Sequence, residues 1–198
     1  MEEQADLDAL SYTSPLELLG EGFHMSQSLL KALNPNKSFD QAGTAISVAN
    51  VGGISSDDSR KGTKIEIDKQ SHDLRALDGD GKLIAFYPAS VGSEEKPAPS
   101  GTLKVTKISK DPTYTYNPKC HFKGVHAATK FTIKPGPNNP VGVVWIALTG
   151  EGYGIHGTPE PDKVGKTASH GCIRLTNWDA MDLSTRVEKG TPVTFLDE

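Results

Sequence analysis

The chain has 198 residues and a mass of 21.2 kDa, is 35% hydrophobic and 23% charged, and carries a net charge of −4. That composition buries a core, which excludes a disordered tail or a fibre, and the acidic balance excludes the broadly basic footprint of a nucleic-acid binder. The longest apolar run, VGVVWIAL at 141–148, is eight residues against the roughly 20 a membrane span needs.

The opening MEEQADLD lacks the basic-then-apolar pattern of a signal peptide. The expectation is a cytoplasmic protein or a chain that starts after a removed leader. Charge is uneven along the chain. Residues 1–60 hold nine acids against three bases, and residues 101–135 hold seven lysines against Asp111 alone. Solvated faces are the plain reading of this split, and attraction of an anionic substrate to the lysines is the sharper one. Two cysteines, Cys120 and Cys172, are too few for a disulfide framework or a four-thiolate zinc site.

Taken in chain order, a short strand is expected near Ala9–Tyr12. A helix then starts at Ser14-Pro15 and carries Leu16, Leu18 and Leu19. A second helix fits Ser26–Leu33, with Ser26 as N-cap, Leu29, Leu30 and Leu33 as its buried face, and Asn34-Pro35 as its stop. The segment AGTAISVANV alternates as a strand. The resulting strand, helix, helix, strand order, with the wording YTSPLELLGEGFHMSQSLLKALNP followed by AGTAISV, resembles a LysM module. The resemblance implies that residues 1–52 bind peptidoglycan glycan strands; the alternative is a small helical cap packed on the main domain.

Residues 53–62 (GISSDDSRKG) read as a linker. From residue 63 to 198 the texture is short strands with turns. Ile65 and Ile67 alternate with acids. The runs at Leu74–Leu77 and Leu83–Tyr87 flank Asp78-Gly79-Asp80-Gly81, a hairpin turn without the remaining oxygen ligands of a calcium loop. Strands are expected at Leu103–Ile108, Lys130–Ile133, Val141–Leu148 and Pro192–Leu196, and a helix at Trp178–Val187 capped by Asn177. The fold class is mainly β, a β-sandwich or barrel-like domain with one late helix. Trp145 is expected to fill the core, and Trp178 to fill it or cover a cleft.

The chemistry concentrates in IHGTPEPDKVGKTASHGCIRLTN, residues 155–177. His156 and His170 bracket a loop rich in glycine and proline, and Cys172 follows His170 by two positions. A thiolate is the attacking form of cysteine, and a nearby imidazole accepts the thiol proton and returns it to a leaving amine. Gly171 beside the cysteine leaves backbone N–H groups open to an oxyanion, and Ser169 is short enough to fix a histidine tautomer. The competing readings are a buried structural thiol, a metal site of His156, His170 and Cys172 lacking a fourth ligand, and a metal patch of Cys120, His121 and His126. Solvated loop residues are preferred for that last set.

The pair His156-Gly157, the spacer, and Ser169-His170-Gly171-Cys172-Ile173-Arg174 resemble the signature of the YkuD-type L,D-transpeptidase family. The resemblance extends over about 63–197, including PAPSGTLKV and the closing KGTPVTFLD. It implies a β-sandwich-like catalytic domain that needs neither cofactor nor metal and acts on peptidoglycan stem peptides. By the same resemblance Cys172 is the nucleophile and His156 the general base and acid. The Gly157 carbonyl then orients the His156 ring, His170 supports, and Arg174 meets a substrate carboxylate. Ser169 and Tyr153 fall in the substrate-binding region, Tyr153 as a hydroxyl near the oxyanion. Transfer to an amine makes the protein a transpeptidase, and transfer to water an L,D-carboxypeptidase. A non-enzymatic wall-binding protein is the reading from another class. The implied location is the cell envelope or periplasm.

Overall fold

A computed structural model describes residues 1–50, 60–92, 97–118, 127–167 and 171–196. Two compact units divide the chain. Tyr12–Ser59 form the smaller, and Met1–Ser11 join Arg60–Glu198 in the larger. Residues 1–11, assigned to an N-terminal module by the sequence reading, therefore belong to the main body. Most of the linker segment lies outside the described residues.

The smaller unit is helical. Helix α1 spans Pro15–Gly22 and α2 spans Gln27–Leu33. Ser14 Oγ accepts the Glu17 N–H, while the Glu17 carboxylate reaches back to the Thr13 N–H at 2.6 Å; together they satisfy donors that the first turn leaves open. Ser26 caps α2 through the Leu29 N–H. On α2 only Leu30 is buried; Leu29 and Leu33 are 48% and 46% exposed, contrary to expectation. The inward stripe is Leu30 and Asn34, four residues apart, because the Asn34 amide brackets the Ser47 backbone. Its Nδ2 donates to the Ser47 carbonyl (2.7 Å), and its Oδ1 accepts the Ser47 N–H (2.6 Å).

Neither strand expected around these helices forms. The Leu10 N–H donates to Pro135 O and its carbonyl accepts from Asn138 N–H, both in the larger unit. Residues 44–50 run without a ladder, and a side-chain amide serves their backbone in place of a strand. The βααβ order is thus reduced to its two helices.

The larger unit is mainly β. Its strands are β1 (Lys64–Asp68), β2 (Asp73–Leu77), β3 (Leu83–Pro88), β4 (Ser90–Val91), β5 (Gly101–Lys110), β6 (Tyr114–Tyr116), β7 (Phe131–Ile133), β8 (Val144–Leu148), β9 (Gly154–His156), β10 (Ile173–Arg174) and β11 (Pro192–Leu196). Nine of them make one barrel-like sheet in the order β3-β2-β1-β11-β5-β8-β9-β10-β4, and β6 pairs with β7 separately. Pairing is antiparallel except at β1–β11 and β9–β10. Residues 141–143, expected as strand, form a turn ahead of β8.

Strand β5 joins the two halves. Its first residues pair with β11 and its last with β8, and the register breaks between Val105 and Lys107. Thr106 is the extra residue of this bulge, its hydroxyl covering the Ala147 carbonyl at 3.1 Å. One added residue flips the faces that follow. Val105 points into the core, yet Lys107 and Ser109 stand on the opposite face, and Ile108 takes the core side.

Alternation in β1 (Ile65, Ile67), β11 (Val193, Phe195) and β8 (Val144, Ile146, Leu148) builds the core. Helix α3 (Asn177–Arg186) covers it through Ala180 and Leu183, which lie fully buried at i and i+3. Each buried aliphatic side chain contributes about 2 kcal/mol. Tyr87 on β3 donates to Asp182 Oδ2, and Arg186 clamps the same carboxylate, so the helix is tied to the sheet. The cap of α3 is Thr176, not Asn177: the Thr176 side chain accepts the Asp179 N–H, and Asn177 is drawn elsewhere.

Candidate active site

The site forms where β9 and β10 run side by side in the same direction, with Ile155 opposite Ile173 and His156 opposite Arg174. Successive strand residues face opposite sides. Ile155 and Ile173 enter the core, so His156 and Arg174 present themselves on the other face. Trp145 lies opposite His156, Ser109 opposite Trp145, and Ser90 opposite Arg174. A row Ser109–Trp145–His156–Arg174–Ser90 therefore crosses five strands on one face. At its end the Ser90 hydroxyl accepts the Gly165 N–H and pins the loop that leads toward Cys172.

The backbone at His156 is held by Leu175 N–H donating to the His156 carbonyl (2.8 Å) and Gly157 N–H donating to Val144 O (3.2 Å). The ring is held by its own neighbour, with Nδ1 2.6 Å from the Gly157 carbonyl oxygen. A carbonyl only accepts, so Nδ1 carries the hydrogen and Nε2 keeps its lone pair. Burial lowers the imidazole pKa to about 4. The Gly157 hydrogen bond opposes that shift, and the Arg174 charge adds to it. The ring is consequently neutral across the neutral range.

What buries it is Trp145, whose indole stacks on the imidazole with ring centroids 5.4 Å apart. Gly154 makes room for that indole: a Cβ there would stand 2.5 Å from the Trp145 ring. The indole is thus part of the site and not of the core, correcting the sequence expectation. It also lines a groove of about 410 Å³ together with Lys107, Ser109, Thr113 and Tyr114.

Cys172 precedes β10 directly and is a half-buried thiol. Gly171 before it has φ +91°, a conformation glycine adopts without strain. The thiol donates to the Gly152 carbonyl at 3.4 Å, in the turn joining β8 to β9. Tyr153 sits in the same turn, partly buried against the core beside Gly150. Arg174 makes no hydrogen bond or ion pair among the described residues. Ser169, His170, Cys120, His121 and His126 lie outside the described residues. Among the described residues no three His, Cys, Asp or Glu side chains gather as metal ligands.

Sequence reasoning missed four participants. Asn177 is buried, donates to Pro137 O, accepts the Val143 N–H at 3.2 Å, and presses Oδ1 against Gly157, where a Cβ would meet it at 2.3 Å. Its Asx character suggested only a cap. Trp145 was hidden inside an unbroken apolar run, and Gly152 and Gly154 read simply as turn residues.

The sequence model of a family described as the L,D-transpeptidase catalytic domain (YkuD) matches residues 62–195. A putative L,D-transpeptidase YkuD of Bacillus licheniformis is 28% identical over 180 residues, covering 91% of this chain and 92% of that protein. A probable L,D-transpeptidase YbiS of Escherichia coli K12 is 29% identical over 191 residues, covering 94% of this chain and 61% of its relative. Among solved structures, a cysteine-to-serine mutant of the Enterococcus faecium L,D-transpeptidase aligns with a TM-score of 0.51 and 25% identity. That alignment covers 69% of this chain and 50% of the other.

Proposed function

The chain belongs to the YkuD family of L,D-transpeptidase catalytic domains, and from that premise we propose that it is a cysteine-dependent peptidoglycan L,D-transpeptidase of the cell envelope. The observation that carries the reading is the Nδ1–Gly157 bond, which aims the basic Nε2 of a neutral, buried imidazole away from its own backbone. Cys172 directly precedes the adjacent parallel strand, two residues before the register partner of His156. Continued strand spacing and rise would set their Cα atoms about 8 Å apart, a gap two side chains can span.

In the proposed reaction, His156 Nε2 takes the thiol proton as Cys172 Sγ attacks the carbonyl of an L–D peptide bond in a donor tetrapeptide. Backbone N–H groups at Gly171 and Cys172 receive the oxyanion, with Tyr153 beside them. The imidazolium returns its proton to the departing nitrogen, the C–N bond breaks, and D-alanine leaves behind a thioester. An acceptor amine on another stem attacks the thioester, loses a proton to His156, and the thiol is restored. His170 and Ser169 support the ring and substrate, and Arg174 pairs with the carboxylate nearest the scissile bond. The Tyr12–Ser59 unit, whose sequence resembles a LysM module, binds glycan strands.

Intact-protein mass spectrometry with a carbapenem tests the nucleophile. One covalent adduct is expected on the wild type and none on Cys172→Ala. An unmodified, folded wild type overturns the reading. Turnover of a tetrapeptide donor with and without an added amine then separates transfer to the amine from transfer to water.

A further inference from the structure

The bulge at Thr106 gives the site a second cationic end. Lys107 and Ser109 share the face of Trp145, His156 and Arg174 because of it, and Lys107 lines the groove that the indole also lines. The groove holds about 410 Å³; Ser109, Thr113, Tyr114 and Thr115 bring hydroxyl-bearing side chains to it, and Pro112, Val141 and Trp145 complete the lining. Like Arg174, Lys107 makes no hydrogen bond or ion pair among the described residues. A lysine in a concave wall of hydroxyls is a receptor for a carboxylate.

Sheet dimensions set the distance between the Cα atoms of the two cations. From β10 through β9 and β8 to β5 is three strand spacings, or about 14 Å at ~4.8 Å each, and Lys107 lies two residues along β5 from Ser109, about 7 Å at right angles, so the separation is about 16 Å. An extended peptide rises ~3.3 Å per residue, so that span corresponds to about five residues. The His156 ring lies between the ends, one strand from Arg174 and two from β5.

We infer that Lys107 and its groove bind a carboxylate in the N-terminal half of the donor peptide, so that Arg174 and Lys107 together select an extended substrate with acidic groups on both sides of the bond to be cleaved. The inference rests on the proposed function. Trp145 supplies the floor between the ends, its indole facing the groove and the imidazole alike.

The test compares two synthetic tetrapeptide donors that differ only in one group, a side carboxylate in the N-terminal half or the corresponding carboxamide. Wild type is expected to show a KM about ten-fold lower for the acid, as one partly shielded ion pair provides. Lys107→Ala removes that preference, raising KM for the acid about ten-fold and for the amide less than two-fold. Lys107→Arg restores it. Lys107 is exposed, so the substitution leaves folding intact, which the thermal midpoint checks. A preference that survives Lys107→Ala, or a wild type indifferent to the two peptides, overturns the inference. Failure of the wild type to turn over either peptide, or to form the Cys172 adduct, instead strikes down the proposed function and this inference with it.

Discussion

The Trp145 indole stacks on the His156 imidazole with planes 23° from parallel, and this contact does two things at once: it excludes water from the ring and fixes its plane. The low imidazole pKa is mainly a burial effect. Trp145→Ala should therefore raise the His156 pKa from about 4 toward the ordinary 6.5, moving the acid limb of kcat/KM upward by the same amount. NMR titration of the ring measures the first and a pH–rate profile the second.

The same pKa makes a stability statement. The folded value of about 4 lies below the ordinary histidine value of 6.5, so the unfolded chain takes up the proton first. Stability attached to this group is complete above pH 6.5 and is lost as pH falls toward 4, by about 3 kcal/mol. His156→Gln should lose correspondingly less between pH 7 and pH 4 in urea titrations. Equal losses in both proteins would show that the imidazole is not the group responsible.

Gly154→Ala places a methyl 2.5 Å from the indole. Displacing the ring should cost about 2–3 kcal/mol, lower the thermal midpoint, and alter the near-ultraviolet circular dichroism of the tryptophans. Activity should fall with it, since the imidazole loses its cover.

Asp179 behaves oppositely to His156. Burial raises its carboxyl pKa to about 6, the Thr176 hydrogen bond works against this, and Asp182 adds to it. The folded protein thus holds the proton more tightly. The associated stability is complete below the ordinary aspartate value of 3.8 and gone once pH passes 6. Asp179→Asn should stabilise the protein by about 2 kcal/mol at pH 8, less at pH 6, and not at all below pH 4, as thermal melts across that range will show.

Long, alternating or capped segments were legible from sequence because a single periodicity determined them. Strand β1, the hairpin around Asp78–Gly81, helix α2 with its Ser26 cap and strand β11 all belong here. The strands that carry the site were not legible. β9 and β10 have three and two residues, too few to display a period, and they pair with each other across eighteen residues of chain. Trp145 failed for a related reason: in VGVVWIAL every position is apolar, so nothing marks which side faces out until the pairing with Ser109 and His156 decides it.

Asn177 and the N-terminal unit show how tertiary demand overrides local preference. Asn177 is a good capping residue by itself, yet its amide is taken by Val143 and Pro137, and the neighbouring Thr176 caps instead. The segment 44–50 alternates like a strand, but no second strand arrives to pair with it. The residues around His156 and Cys172 were legible as chemistry, although their neighbours in space were not.

Thr106 carries a consequence for how such a protein changes over time. Inserting one further codon beside it would leave composition, charge and strand count almost untouched while turning the last third of β5 inside out, so that a lysine would be asked to sit among isoleucines and an isoleucine would be offered to water. The lining of the groove and the foldability of the strand therefore depend on the same stretch, and a lineage can revise the groove by exchanging side chains at 107 and 109 far more readily than by altering the length of the strand that displays them.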